Sequence, residues 1–423
     1  MSSGKPGRNR LVSYHGSDAH IVFATEGGAA LYGQQNSLNA NLPGSSVLTK
    51  PPSQDTHTSA VLRKDGFNLV GYLSREMSLG HVARTLAFAA EIAQIPVAEI
   101  SYEQSESPPT GGQAPGGIIQ FQTTLAVVTA LEFPRLAKTL PQVFVSSRRM
   151  IGYWFWELEH VPQEMISALR YVDEIWAGSR FVADAFAAVT DKPVRLLDVG
   201  VPEPIFSDLE RTSFGPLRAT AGHFMFLVVF DHFSVVERKN PVGVIEAFKA
   251  AFKPGEGPIL VIKSINGSAR PKYQRQVEQA ADGRPDLIVW DEFLSRPDQM
   301  ALVRAADCLV SLHRSEGLGM HLAEAMWLGT PTIATAYSGN LDFMDQSCSM
   351  LVAAGRTNVV DGQGAYPSTA MWAEPDLGEA ASLMRQIASD PDRARALASA
   401  GRTRMEAELR KNTGEQMRDL LGL

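Results

Sequence analysis

From Phe67 onward, short apolar runs alternate with stretches whose apolar residues recur every three or four positions, a rhythm that predicts strands separated by helices. FNLVGYL reads as a strand, Val82, Leu86, Ala89 and Ala93 share one helical face, and IPVAEI returns to a strand. IIQFQ, RMIGYWFWE, DEIWAGS and VRLLDVGV continue the series, with Ser179 placed to cap a helix carrying Phe181, Val182 and Phe186. Residues 111–117 (GGQAPGG) read as a loop inside this half. Over 202–222 Pro, Gly and charge mix without period, which marks a linker. A second series follows: MFLVVFD, PILVIK, LIVW, DCLVSLH, TPTIAT and SMLVA are strands, and Asn240 and Pro241 open a helix whose face is Val244, Ile245, Phe248 and Phe252. Two such series predict an α/β chain with two Rossmann-like parallel-sheet domains, 66–210 and 222–400, facing a cleft, with ligands beyond the C-terminal strand ends. Residues 1–65, rich in Gly, Ser, Asn and Pro over 33–60, read as a flexible leader, and 401–423 as a C-terminal helix able to pack back on the first domain.

Charge narrows the partners. Thirty-nine basic against 46 acidic residues give a net charge of -7, so no global positive field draws the chain to nucleic acid. Cys308 and Cys348 lack CxxC spacing, which suggests neither a disulfide framework nor a thiolate metal site. MSSGKPGRNR is not followed by an apolar core, and no apolar stretch reaches the roughly 18 residues that span a bilayer. The expectation is a cytoplasmic chain, with peripheral association at the inner face of a membrane left open. Nine histidines form no HxH or HExxH pattern, and Asp390 in Asp-Pro-Asp reads as a helix cap, so no metal is expected.

The segment richest in candidate chemistry is HRSEGLGMHLAEAMWLG, His313 to Gly329. Gly317 and Gly319 permit close backbone approach around Leu318, and a helix starting near Met320 would aim free N–H groups and its positive end at an anion. Glu316 precedes that helix; Glu324 lies roughly 6 Å along it, so the two carboxylates serve different parts of an elongated ligand. Arg238 and Lys239, at a strand's end before a capped helix, suit a phosphate. Lys263 is either a second phosphate contact or a strand terminus. In the first half Gly71, Tyr72 and the loop SREMSLG with Gly80 either approach a ligand or form a plain turn, and His81 and His160 are the histidine candidates. Tyr153, Trp154, Phe155 and Trp156 alternate, so at least two belong to the core while the others are free to stack on a ligand. Glu157 and Glu159 either hold ligand hydroxyls or end the strand.

Glu followed by seven residues and Glu, with Gly-x-Gly and Gly-Thr-Pro downstream, resembles the retaining glycosyltransferases of family four, GT-B proteins of the bacterial polysaccharide type. GYWFWELE, FDHFSVVERKNP, LVIKSING, VSLHRSEGLG and YSGNLDFM carry the resemblance in order. It implies a nucleotide diphosphate sugar donor, a hexose moved to a glycan or lipid-linked glycan hydroxyl, and no metal or other cofactor. By the same resemblance Glu316 contacts the hexose near the reacting carbon, Glu324 the ribose hydroxyls and Lys239 the diphosphate, with Arg238 beside it. Many such proteins carry an arginine at the end of the preceding strand; Asp231, His232 and Phe233 stand there instead. A nucleotide-sugar epimerase, a non-catalytic nucleotide-sugar-binding protein and a pyridoxal phosphate-dependent glycan phosphorylase are the alternatives.

Overall fold

The structure, a computed structural model, describes residues 14–15, 18–19, 62–75, 77–102, 117–360, 365–409 and 412–423. It divides into Met1–Arg63 and Lys64–Leu423. In the first unit Tyr14–His15 pairs antiparallel with Asp18–Ala19. Of the leader expected over 1–65, all but residues 14–15, 18–19 and 62–65 lies outside the described residues, as does the GGQAPGG loop apart from Gly117, and the first strand of the next unit already begins at Arg63.

The second unit contains two six-stranded sheets. In the first, β1 (Arg63–Gly71), β2 (Val97–Ser101), β3 (Phe121–Val127), β4 (Arg149–Trp154), β5 (Glu174–Ala177) and β6 (Val194–Leu196) lie in the order β2-β1-β3-β4-β5-β6. The pairings with a described register are parallel. Successive residues of a strand enter opposite faces, and both faces are covered. Leu69, Leu125, Ile151 and Tyr153 pack in one core, while Val70, Ala126, Met150 and Trp154 pack in the other, which is why these strands read as continuous apolar runs. Buried Asn68 ties β1 to β3: its Nδ2 donates to the Phe121 carbonyl at 2.8 Å and its Oδ1 accepts from the N–H of Phe121 at 3.0 Å.

The second sheet has β7 (Met225–Asp231), β8 (Ile259–Ile265), β9 (Leu287–Asp291), β10 (Cys308–Ser311), β11 (Thr332–Thr335) and β12 (Met350–Val352), all parallel, in the order β9-β8-β7-β10-β11-β12. This order reverses direction between β7 and β10, the place where a doubly wound sheet opens a crevice. The segments after those two strands are residues 232–239, which end in a short helix, and 312–319.

The main helices are α1 (Ser78–Ile92), α2 (Arg180–Ala187), α3 (Pro241–Ala251), α4 (Arg296–Arg304), α5 (Met320–Trp327), α6 (Leu377–Ser389), α7 (Pro391–Leu409) and α8 (Thr413–Leu421). Local chemistry sets their starts. Ser179 accepts from the N–H of Val182 at 3.3 Å, and Asn240, in the left-handed region at φ 54°, accepts from Gly243 at 3.1 Å with Pro241 at the first helical position. Helix α7 runs through the boundary expected at 400/401, because Met405 packs into the same core as Met326. Of the C-terminal helices α7 and α8, it is α8 that packs on the first sheet: Met417 enters its core, and Arg149 donates to the Leu420 carbonyl at 2.8 Å. An antiparallel hairpin absent from the sequence expectation, β13 (Ala354–Asn358) and β14 (Met371–Pro375), carries Trp372 into the core of the first sheet together with Tyr366 from the connecting segment.

Candidate functional site

The loop after β10 engages its carbonyls and leaves its last amides without partners among the described residues. The Ser315 carbonyl accepts from Arg238 Nη1 at 2.8 Å, that of Glu316 from the N–H of Gly339 at 3.0 Å, and that of Gly317 from Ser179 Oγ at 2.5 Å. The Glu316 N–H donates to Ser338 Oγ at 2.8 Å. The next five amides, Gly317 through His321, have no hydrogen-bond partner among the described residues. Gly319 makes the turn into α5 at φ 89°, a conformation strained for any side chain. A run of unsatisfied N–H groups entering a helix N-terminus is an anion-binding arrangement.

Beside it lies a buried ion cluster. Lys239 Nζ is 2.5 Å and Arg238 Nη1 3.2 Å from the Glu316 carboxylate, which is 6% exposed. Burial alone pushes this carboxyl up, but the Lys239 and Arg238 charges prevail and hold it well below the usual range. Burial pulls the Lys239 ammonium down, against the attraction of Glu316. The short helix Val236–Lys239 that presents both cations is bracketed by two left-handed residues, Val235 at φ 56° and Asn240. For a β-branched residue this is a strained conformation of the kind found at ligand sites.

Two histidines complete the floor. Fully buried His313 meets two acceptors at Nε2, the Tyr337 carbonyl and Asn340 Oδ1, each at 3.2 Å, so that nitrogen carries the proton. Its Nδ1 therefore accepts from Ser311 Oγ at 3.1 Å, and Ser311 in turn accepts from His321 Nε2 at 3.1 Å. Burial, then the Lys239 charge, lowers the His321 pKa to about 3, so the ring is neutral at physiological pH.

The remaining expected residues separate into groups. Glu324, 4% exposed on α5, is ion-paired with Arg296 at the start of α4. Burial raises its pKa and the Arg296 charge opposes that rise. Lys263 is buried and engaged away from Glu316: Nζ donates to the Ser264 carbonyl at 2.8 Å and to that of Glu292, and lies 5.1 Å over the Trp290 ring, with burial lowering its pKa to about 8. His232, where the resemblance expects arginine, is 2% exposed with its ring 4.8 Å from that of Phe230, and burial lowers its pKa, so it supplies no charge.

Glu157 belongs to the edge of the ion cluster: Oε2 accepts from Tyr366 at 2.8 Å and Oε1 is 3.9 Å from Arg238. Glu159 pairs with Arg356 and accepts from Tyr337 at 3.1 Å. Of the four alternating aromatics, Tyr153, Trp154 and Trp156 are core, and only Phe155 is partly exposed. Gly71 and Gly80 have packing reasons for lacking a side chain. A Cβ on Gly71 would stand 3.0 Å from that of Ala83, and one on Gly80 would stand 2.5 and 2.6 Å from the Arg75 and Tyr72 carbonyl oxygens. His81, on α1, is partly buried, and burial with the Arg296 and Arg84 charges lowers its pKa to about 3.

Sequence reasoning passed over Arg296, Ser338 and Tyr366. For Arg296 a signal existed: Ser295-Arg296-Pro297-Asp298 is a helix start, and Ser295 does accept from Asp298. Among the described residues no helix is long and apolar enough to cross a membrane.

Residues 232–354 match the family described as glycosyl transferases group 1, a span that holds Arg238, Lys239, Glu316 to His321, and Glu324. No curated protein matches the chain. Among solved structures, Anabaena HepE in complex with UDP and glucose is 13% identical with a TM-score of 0.59, over 84% of this chain and 99% of that one. Sucrose-phosphate synthase from Thermosynechococcus elongatus is 16% identical with a TM-score of 0.60, over 84% and 98%. The N-terminal domain of Candida albicans trehalose-6-phosphate phosphatase is 11% identical at 0.53, over 85% and 97%. At these identities the likeness is one of fold. The chain has the GT-B fold, and the stretch that matches glycosyl transferases group 1 lies in the half built on its second sheet.

Proposed function

We propose that the chain is a retaining hexosyltransferase that uses a nucleotide diphosphate sugar. One observation carries the reading: five consecutive amides, Gly317 to His321, unpaired among the described residues, enter α5 directly after a carboxylate that Lys239 and Arg238 keep ionised. The amides suit a diphosphate, and an ionised carboxylate suits the hydroxyls of the attached sugar. In the reaction the acceptor hydroxyl oxygen bonds to the anomeric carbon on the face that the diphosphate leaves. The carbon–oxygen bond to phosphate breaks with its electron pair, and the acceptor proton passes to the departing phosphate oxygen. Lys239 and the amides stabilise the charge that develops there, so no divalent ion is needed. Glu324 would accept from the ribose hydroxyls, as the resemblance implies. The acceptor would be a glycan or lipid-linked glycan in polysaccharide assembly at the cytoplasmic face of the membrane.

The UDP and glucose bound by HepE make UDP-glucose the first donor to try. Calorimetric titration with uridine, guanosine, adenosine and thymidine diphosphates and their sugars identifies the donor. Proton NMR of the product anomeric centre then reads the stereochemistry. Failure to bind any of them overturns the proposal, an inverted product removes retention, and acceptor-independent conversion of the donor sugar makes the protein an epimerase.

A further inference from the structure

Ser179 does two things at once. It caps α2 by accepting from Val182, and across to the other half its hydroxyl donates to the Gly317 carbonyl at 2.5 Å. Both groups are buried, and Leu318 and Met320 rest against the core of the first sheet, so this contact is shielded from water. A trans peptide is planar, with its C=O and N–H pointing in opposite directions. No cis bond is present among the described residues. Holding the Gly317 carbonyl toward the first half therefore turns the Leu318 N–H away from it, among the unpaired amides. Gly317 has no side chain to resist rotation of that peptide, and a Cβ there would come to 3.4 Å from Phe155 and the Trp156 carbonyl. No backbone N–H among the described residues satisfies the same carbonyl.

We propose that Ser179 is a positioning residue for the diphosphate site: its hydroxyl fixes the Gly317–Leu318 peptide so that the Leu318 amide donates to the leaving phosphate. The site then depends on the first half being docked, because the amide is aimed by a residue outside the group 1 domain. This rests on the diphosphate reading of the amides.

Three full-length variants test it, each compared with wild type below its melting transition. Aspartate caps a helix as well as serine but has no hydrogen to donate when ionised; threonine does both; alanine does neither. If Ser179 only caps α2, activity follows capping and Ser179→Asp resembles wild type. If it aims the amide, Ser179→Thr keeps most of kcat, while Ser179→Asp and Ser179→Ala lose on the order of 10- to 100-fold in kcat, the scale of removing one preorganised donor. The bare nucleoside diphosphate should weaken less than kcat falls, since the donor matters most as charge develops. Should Ser179→Asp not fold, Ser179→Ala with wild-type kcat overturns the proposal alone, as does Ser179→Asp with wild-type kcat. Wild-type protein that binds no nucleoside diphosphate overturns the diphosphate reading instead, so the two failures are distinguishable.

Discussion

Arg296→Gln is the perturbation whose consequences the structure specifies most fully. Glu324 is 4% exposed, and its ionic partner is the Arg296 guanidinium, whose side chain is 40% exposed. Removing one partner of a fully buried pair costs about 3–5 kcal/mol; with Arg296 this open to solvent, and with the carboxyl free to take up a proton, about 1–3 kcal/mol is expected. Burial already raises the Glu324 pKa above 4.5 with Arg296 present, and without that charge it rises further. The sign follows. Between the unfolded value near 4.5 and the raised folded value, the native state binds more protons than the unfolded one, so stability falls as pH rises through that window. Nucleotide binding runs the other way. If Glu324 accepts from the ribose hydroxyls, its ionised form binds better by about 1.5–3 kcal/mol, roughly 10- to 100-fold. Titrating wild type and Arg296→Gln with the preferred nucleoside diphosphate upward from the unfolded value near 4.5, over the pH range in which both remain folded, tests this, and the ratio of their constants cancels the ligand's own ionisation. The variant should gain affinity relative to wild type as its melting temperature declines. A ratio independent of pH refutes the ribose role of Glu324, and a variant that binds more tightly throughout shows that Arg296 competes with the ligand.

Glu316→Gln should lower kcat by at least about 100-fold while the bare diphosphate binds as well as before or more tightly, since Lys239 is released from its carboxylate. A fall in bare diphosphate affinity would place Glu316 against the nucleotide instead of the sugar. Turnover should survive exhaustive chelation; loss restored by magnesium or manganese refutes metal independence. Gly80→Ala should cost about 1–3 kcal/mol by overpacking against the Arg75 and Tyr72 carbonyls, seen as a lowered melting temperature. An unshifted melting temperature with reduced kcat/KM would return Gly80 to the ligand. Arg356→Gln breaks a half-exposed pair with Glu159 and should change stability by no more than about 1 kcal/mol in thermal melts; a larger loss would mean the hairpin depends on that pair.

Much of this molecule was written locally. The alternation that predicts most of β1 to β12 works because strands covered on both faces need apolar side chains at successive positions, although β3 runs over Phe121–Val127 where the pattern marks IIQFQ and β6 is largely exposed. Helix starts at Ser179, Asn240 and Asp390 follow from side chains that cap amides three residues away. The glycine turn into α5 was equally legible, since the left-handed residue and the helix it opens are adjacent. The hairpin β13–β14 was not. Its first strand, Ala354-Gly-Arg-Thr-Asn, is mostly exposed and lacks an apolar alternation, so only its partner and the core beneath Trp372 define it.

The electrostatics of the site also lay beyond the sequence. Glu316 and Lys239 stand 77 residues apart, and their contact exists because β7 and β10 are neighbours at the reversal of strand order. Glu324 reads as a ribose contact with no hint of the Arg296 charge against it, and Lys263 reads as either a phosphate contact or a strand terminus with no hint that its ammonium lies on two backbone carbonyls and a tryptophan ring. Ser179 could be recognised as a cap from four residues; that the same hydroxyl reaches the Gly317 carbonyl, 138 residues on, required both sheets to be in place. Periodicity and caps depend on neighbours within one turn of chain, whereas the state of a charge or the direction of a peptide depends on whatever the fold brings against it.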